Sequence, residues 1–141
     1  MTSTPTRFVI IGNGAAGTYA AEQLRKDDAA ADIVMIDDEK YTLYNRVSLP
    51  RYLKGVLLEQ RVTVRDMEWH VKNRIDLRLE TRVTQVNFEE KTVAIEPGAE
   101  LKYDKLLIAT GGRPNPLRVP GSDDAPYLFN FQYFDETKAM V

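Results

Sequence analysis

The sequence of 141 residues contains no cysteine, a single histidine and a single tryptophan, and its acidic residues outnumber the basic ones by 21 to 19. Without cysteine the chain can form no disulfide, no thiolate metal site and no redox-active thiol of its own. A net charge of −2 gives no electrostatic argument for binding nucleic acid or an anionic membrane. We therefore predict no metal site and no nucleic-acid partner.

Long hydrophobic runs are also missing. No apolar stretch reaches the ~18 residues that a membrane span needs, and residues 1–5 lead into the first apolar run without a signal-peptide pattern. The composition, 43% hydrophobic and 28% charged, is typical of a globular protein, and the length fits one domain. We expect a cytoplasmic protein without a membrane span.

The most informative stretch is an apolar run, Phe8–Ile11, that ends in a Gly-x-Gly-x-x-Gly turn and continues as a helix-forming segment. This order is typical of the first turn of a dinucleotide-binding βαβ unit. Gly12 would allow the tight turn, Gly14 the close approach of a pyrophosphate, and Gly17 the close packing of helix on strand. The helix N-terminus would then offer unpaired N–H groups to phosphates. The alternative is a βα turn whose glycines serve packing only.

A second apolar run, Ile33–Ile36, ends in Asp37. A carboxylate about twenty residues after the last glycine of the motif is expected to bind a ribose 2′-hydroxyl. Asp37 and Asp38 would repel a 2′-phosphate, which favours FAD or NAD over NADP. Asp38 is equally interpreted as a solvated acid at the strand end. The fingerprint alone does not separate FAD from NAD.

The remaining pattern predicts an α/β fold: a Rossmann-like βαβ fold that binds a dinucleotide, with an inserted antiparallel β-meander; the resemblance described below makes this an FAD-binding fold. Asp66 is the expected cap of a helix ending at Asn73, and the lone histidine, His70, is interpreted as a surface or packing residue. The expected strands are 6–11, 32–37, 75–79, a hairpin around 89–91 that continues toward 101–103, and a buried strand at 105–109; the expected helices are 15–27, a short one at 48–53, and 66–73.

Two later segments carry a family resemblance. The segment YDKLLIATGGRP at 103–114 resembles the second FAD motif of flavoprotein reductases with two dinucleotide-binding domains. The segment YNRVSLPRYLKG at 44–55 is similar to the matching stretch of the nitrite reductase and rubredoxin (ferredoxin) reductase branch. The chain thus resembles the N-terminal FAD-binding part of FAD-dependent pyridine nucleotide-disulfide oxidoreductases. The resemblance implies FAD in the first site and NAD(P)H as the donor in the full-length protein.

The candidate cofactor-binding residues are Gly12, Asn13, Gly14, Ala15, Ala16, Gly17, Asp37, Asp38, Arg46, Arg51, Val83, Ala109, Thr110 and Gly111. The resemblance implies that Val83 meets the adenine through its backbone, and that Arg46 pairs with the cofactor phosphates or closes the site. It also implies that Thr110 and Gly111 edge the cofactor. Arg51 stands where the branch usually has a lysine near the flavin; a surface arginine is the alternative. No catalytic residue is identified.

The resemblance further predicts an FAD-binding domain over 1–121, in its first segment only, and the start of a linker toward an absent NAD(P)-binding domain over 122–141. We expect a fragment, or half of a split protein, that passes electrons from NAD(P)H through FAD to a redox protein, a nitrite-reducing centre or a quinone. One alternative is a non-catalytic nucleotide-binding half that completes its site with a partner chain. Another is an NAD-binding single-domain regulator.

Overall fold

The computed structural model describes residues 4–122 and 125–141, so Met1–Ser3 and two positions of the expected linker, Asp123 and Asp124, lie outside the described residues. The chain divides into two compact units, which are described separately. The first contains the chain through Leu43 together with Arg65–Gly111, and the second contains Tyr44–Val64 and Gly112–Val141. No helix among the described residues is long and apolar enough to cross a membrane.

The elements of the first unit are β1 (Arg7–Ile11), α1 (Ala15–Asp27), β2 (Asp32–Ile36), α3 (Met67–Lys72), β3 (Ile75–Arg78), β4 (Val83–Asn87), β5 (Thr92–Ile95), β6 (Ala99–Lys102) and β7 (Lys105–Ile108). The unit is built on a four-stranded parallel sheet in the order β3-β2-β1-β7. Helix α1 connects the neighbouring parallel strands β1 and β2. The predicted βαβ unit is confirmed, with its strand and helix boundaries within a residue or so of those expected.

Strand β1 lies at the centre of the sheet and is buried on both faces. Its odd-numbered side chains, Val9 and Ile11, join a core cluster that includes Val93 and Ile95 of β5. Ile10 points to the opposite face, where it packs in a cluster with Ala21 of α1. Because both faces of a parallel sheet are covered, its strands are continuously apolar rather than alternating.

The second sheet of this unit is antiparallel, in the order β4-β5-β6. It is inserted between β3 and β7 in the chain. In the turn from β4 to β5, the side-chain oxygen of Asn87 accepts hydrogen bonds from the backbone N–H groups of Glu89 and Glu90, at 3.0 Å each. The predicted antiparallel meander is therefore confirmed.

Helix α3 begins as the sequence predicts. The Asp66 side chain accepts a hydrogen bond from the backbone N–H of Trp69 at 2.8 Å, which satisfies a donor that the first turn leaves open. The helix is followed by Asn73 as C-cap. Asp66 thus caps the helix, as predicted.

One expectation about the sheet is wrong. The sequence predicts a buried strand at 105–109, but Leu107 is 38% exposed and Ile108 is 55% exposed. The physical reason is position: β7 has β1 as its one partner and forms an edge of the described sheet. An apolar groove of about 340 Å³ runs beside it, lined in part by Phe8, Leu24 and Leu107. An apolar run cannot by itself distinguish a central strand from an edge strand.

The second unit contains α2 (Leu49–Leu53) and α4 (Phe134–Ala139). The side chain of Phe134 is 1% exposed, and its ring lies 5.3 Å from the ring of Tyr44 and 5.1 Å from that of Tyr52. A surface ion pair of 2.6 Å between Lys138 and Glu59 accompanies this aromatic cluster. The cluster joins two parts of the chain that are far apart in sequence.

Candidate functional site

The turn between β1 and α1 is fixed at its first glycine. Gly12 has φ +111°, and a Cβ there would overlap the backbone carbonyl of Ala109. Its N–H donates to the carbonyl of Ile36 at 2.8 Å, while the N–H of Ala109 donates to the carbonyl of Ile11 at 2.7 Å. Hydrogen bonds thus join the start of the turn to the ends of β2 and β7, and only glycine fits at this position.

The other two glycines of the motif differ in their surroundings. A Cβ at Gly17 would overlap the carbonyl oxygen of Gly12 and lie 3.2 Å from a methyl of Ile10, so this glycine lets α1 approach the strand. A Cβ at Gly14 would meet nothing within 4 Å. Packing explains Gly12 and Gly17 but not Gly14, whose backbone faces open space.

The N-terminus of α1 has the features of an anion-binding site. Gly14 is the N-cap, so no side chain caps the helix, and the first turn contains no acidic residue. Ala15 and Ala16 are both exposed. The unpaired N–H groups of this turn and the positive end of the helix dipole therefore face the open space beside Gly14. The charge of this turn suits a pyrophosphate such as that of FAD, and a side chain at Gly14 would enter the space beside it.

Asp37 connects the end of β2 to the glycine turn. One carboxylate oxygen accepts the N–H of Asn13 at 2.5 Å and the other accepts the N–H of Glu39 at 2.9 Å. Asn13 is 4% exposed, and its side-chain amide donates to the carbonyl of Tyr41 at 3.3 Å. Asp37 therefore lies beside the turn and holds it in place; its contact with a ribose stays a prediction. Asp38 is exposed next to it.

The remaining candidates of the first unit lie beside the same turn or follow a segment bonded to the end of β2. Ala109, which Gly12 packs against, begins the Ala-Thr-Gly sequence that continues through Thr110 and Gly111. The N–H of Thr81 donates to the carbonyl of Asp37 at 2.9 Å, which brings the chain leading into β4, and hence Val83, beside the end of β2. The fold thus gathers two distant motifs around the glycine turn.

The two candidate arginines belong to the second unit. The guanidinium of Arg46 lies 4.9 Å from the ring centre of Tyr44 and 5.2 Å from that of Tyr133. It also donates to the carbonyl of Gln132 at 2.8 Å. Arg51 is exposed on α2. Contact of either arginine with a cofactor stays a prediction.

Sequence reasoning missed two residues near the turn. Thr18 is 2% exposed, and its hydroxyl lies 3.2 Å from the side-chain oxygen of Asn13, so it supports the Asn13 side chain from the first turn of α1. Glu39 adds a third carboxylate after Asp37 and Asp38. A polar residue directly after Gly17, and a run of three acids at a strand end, were the available signals.

The lone histidine is a packing residue. His70 has no exposed surface, and its Nδ1–H donates to the carbonyl of Asp66 at 2.7 Å, while Nε2 has no hydrogen-bond partner. Burial lowers the pKa of His70 below its usual value, although the hydrogen bond to Asp66 opposes the shift. Among the described residues no group of three or more His, Asp or Glu side chains could hold a metal ion.

A parallel sheet with a glycine turn, an uncapped helix N-terminus and a carboxylate at the end of the second strand defines a dinucleotide-binding α/β domain. The chain belongs to the pyridine nucleotide-disulphide oxidoreductase family, whose model matches residues 6–141. This confirms the resemblance and the expected Rossmann-like fold; the family uses FAD and NAD(P)H.

Similar proteins belong to the expected branch. The chain is 46% identical over 110 residues to the ferredoxin–NAD(+) reductase component of the anthranilate 1,2-dioxygenase system of Burkholderia cepacia, a match that covers 75% of this chain and 26% of the relative. It is 32% identical over 127 residues to NADH-rubredoxin oxidoreductase of Clostridium acetobutylicum, covering 89% of this chain and 33% of the relative.

A solved structure supports the same fold. The crystal structure of the covalent putidaredoxin reductase–putidaredoxin complex matches with a TM-score of 0.90 at 27% identity, covering 98% of this chain and 34% of that chain. This chain therefore spans about a quarter to a third of the length of the relatives it matches.

Proposed function

We propose that this chain is the FAD-binding portion of a flavoprotein oxidoreductase that passes electrons from NAD(P)H through FAD to a small redox protein. One observation carries the cofactor assignment: the backbone of Gly14 faces open space at the uncapped N-terminus of α1. Packing gives no reason for a glycine there, whereas a pyrophosphate lying against the backbone does. The names of the relatives, a ferredoxin–NAD(+) reductase component and a rubredoxin oxidoreductase, support the acceptor class.

The residues of this chain have binding and positioning roles in the proposal. The first-turn N–H groups of α1 bind the pyrophosphate, Asp37 binds the ribose while holding the turn, and Val83 meets the adenine through its backbone. The turn at Thr110 and Gly111 edges the cofactor. The position of the glycine turn between β2 and β7 supports the roles of the α1 N-terminus and Asp37. The roles of Val83, Thr110 and Gly111 are those that the family resemblance implies.

FAD held by the glycine turn and Asp37 would supply the redox chemistry, in which a hydride from NAD(P)H is converted into two one-electron transfers to the acceptor. Overall, one NAD(P)H and two oxidised one-electron carriers give NAD(P)+, two reduced carriers and one proton. A disulfide acceptor reduced through a thiolate of this chain is excluded, because the chain has no cysteine. A one-electron iron–sulfur carrier suits this stoichiometry.

The cofactor assignment is tested with Gly14→Val. The side chain enters space that is empty of protein atoms, so the FAD-free protein should keep its fold, while the branched side chain occupies the position of the pyrophosphate. We expect the flavin absorbance of the purified protein to disappear and its far-UV circular dichroism to stay unchanged. Ala99→Val, at an exposed strand position, is the control and should retain FAD. Retention of FAD by the Gly14 variant would overturn the assignment.

The second candidate function is a non-catalytic nucleotide-binding half. The described residues contain one motif in which a strand, a glycine turn and a helix follow each other. This favours the second candidate, because one phosphate-binding turn cannot hold FAD and NAD(P)H together. We expect the FAD-loaded 141-residue polypeptide alone to oxidise NADH far more slowly than the ~1–10³ s⁻¹ of ordinary enzymes. Turnover in that range by the polypeptide alone would exclude this alternative.

A further inference from the structure

Asn13, the second residue of the glycine motif, has a buried polar side chain. It is 4% exposed, whereas Ala15 and Ala16, the other two residues between the glycines, are exposed. A buried amide must find hydrogen-bond partners, because leaving it unpaired costs free energy. An apolar side chain at this position would avoid that cost. The partners of the amide therefore indicate what the side chain does.

The partners of Asn13 fix the orientation of its amide. The carbonyl of Tyr41 lies 3.3 Å from Nδ2 of Asn13 and can only accept, so the N–H₂ group must face Tyr41. The amide oxygen therefore faces Thr18, whose hydroxyl donates to it at 3.2 Å. Thr18 is itself 2% exposed. These three residues form a chain of hydrogen bonds from α1 through the glycine turn to Tyr41, here called the amide bridge.

The amide bridge ends on the residues that follow the proposed ribose carboxylate. Residues 38–41 form neither helix nor strand. The backbone N–H of Asn13 donates to the carboxylate of Asp37, and its side chain donates to Tyr41. One residue thus holds both ends of the segment 37–41, here called the ribose-side segment. In the proposed site this segment begins at the ribose, to which the base is attached, and not at the pyrophosphate.

We propose that Asn13 and Thr18 are positioning residues for the adenosine half of the dinucleotide, which deepens the proposed function and rests on it. Thr18 fixes the orientation of the Asn13 amide, and the amide holds the ribose-side segment beside the glycine turn. A segment held in its bound position before the ligand arrives raises affinity, because less conformational freedom is lost on binding. The amide bridge should therefore affect the binding of adenosine and leave the binding of pyrophosphate by the first turn of α1 unchanged.

A purely structural role is the alternative, and the chain offers a matched control for it. Thr137 is also a buried threonine in a helix, 0% exposed, and its hydroxyl donates to the carbonyl of Tyr133 at 3.1 Å. Thr18→Val and Thr137→Val each replace a buried hydroxyl by a methyl group. Each variant loses a buried hydrogen bond, so both should lower the melting temperature of the FAD-free protein by similar amounts. Only Thr18→Val should alter nucleotide binding.

The test measures the dissociation constants of ADP and of inorganic pyrophosphate for the full-length protein without FAD, by titration calorimetry. We expect Thr18→Val and Asn13→Ala each to raise the dissociation constant of ADP on the order of tenfold and to leave that of pyrophosphate unchanged. The double variant should bind ADP no more weakly than Asn13→Ala alone, because Thr18 acts through the Asn13 amide. Thr18→Ser keeps the hydroxyl and should bind ADP as the unmutated protein does.

Three results would refute the positioning role. The same ADP dissociation constant in Thr18→Val and Thr137→Val would show that the amide bridge does not act on the nucleotide. Equal losses of ADP and pyrophosphate affinity would show that the variants distort the glycine turn as a whole. A loss in Thr18→Ser as large as in Thr18→Val, or additive losses in the double variant, would show that the hydroxyl does not act through the amide. If the unmutated protein binds neither ADP nor FAD, the proposed function itself fails.

Discussion

The backbone N–H of Asn13 donates a hydrogen bond of 2.5 Å to a carboxylate oxygen of Asp37. The donor of this hydrogen bond lies in the glycine turn and the acceptor at the end of β2. The bond therefore fixes the distance between the proposed pyrophosphate and ribose positions. A carboxylate acceptor makes it a charge-assisted bond, stronger than one between neutral groups. The geometry of the turn therefore depends on the Asp37 side chain even before a cofactor binds.

We expect Asp37→Asn to destabilise the FAD-free protein. Both oxygens of Asp37 accept backbone N–H groups, so the amide would direct its own N–H₂ at the donor of either Asn13 or Glu39. The free energy of unfolding in urea should fall by about 1–3 kcal/mol. Asp38→Asn, at the exposed neighbouring position, should have a smaller effect. A variant of Asp37 that loses FAD affinity but no stability would show that the carboxylate acts on the cofactor alone.

Gly12 and Gly14 should respond differently to the same substitution. Gly12→Ala places a Cβ against the carbonyl of Ala109 at a φ of +111°, so unfolding of the FAD-free protein should become easier by about 2 kcal/mol or more. Gly14→Ala enters open space and should cost less than about 1 kcal/mol. Denaturation of both variants without FAD makes the comparison. Equal stability losses would mean that the turn is not packed as described.

His70 should make the stability of the protein sensitive to mild acid. Burial lowers the pKa of folded His70 below 6.5, so the unfolded chain takes up a proton before the folded one does. The contribution to stability is complete above pH 6.5 and is lost as the pH falls toward the lowered pKa. The slope in that window is at most about 1.4 kcal/mol per pH unit. Urea unfolding at pH 7.5, 6.5 and 5.5 measures it.

The control for this pH dependence is His70→Gln, which removes the titrating group and leaves a side chain of comparable length. Because His70 is the only histidine, the slope between pH 6.5 and 5.5 should flatten in this variant. The same slope in both proteins would assign the acid sensitivity to carboxylates instead.

We expect Arg46→Ala to weaken FAD binding more than Arg51→Ala does. If Arg46 contacts the cofactor phosphates, its loss should raise the FAD dissociation constant by about tenfold, which corresponds to ~1.4 kcal/mol. Arg46→Lys keeps the charge but not the planar fork, so an intermediate value is expected. Flavin fluorescence quenching gives the three constants. Similar small changes in all of them would restrict Arg46 to its contacts with Tyr44 and Tyr133.

Local patterns predicted the elements whose formation is decided locally. The apolar runs before Gly12 and before Asp37 are β1 and β2, and Asp66 caps α3 because its side chain reaches a backbone donor three residues ahead. The roles of Gly12 and Gly17 also followed from the motif, since its spacing requires a tight turn and close packing.

Features that depend on distant parts of the chain could not be predicted in this way. Leu107 and Ile108 look like core residues in sequence, yet their exposure depends on whether another strand lies beside β7. The burial of His70 depends on how α3 packs, and the bond from Asn13 to Asp37 joins two segments whose separation no local pattern encodes.

The contact of Gly12 with Ala109 also has a consequence for the order of folding. The glycine turn is held by β2 on one side and by β7 on the other, and β7 follows much later in the sequence. Contacts between distant parts of a chain form late, because the intervening loop must first be closed at a cost in entropy. During synthesis, a ribosome-bound chain that has released only the glycine motif and β2 therefore still lacks one wall of the proposed cofactor cradle. We expect cofactor capture to wait until the Ala-Thr-Gly turn has emerged.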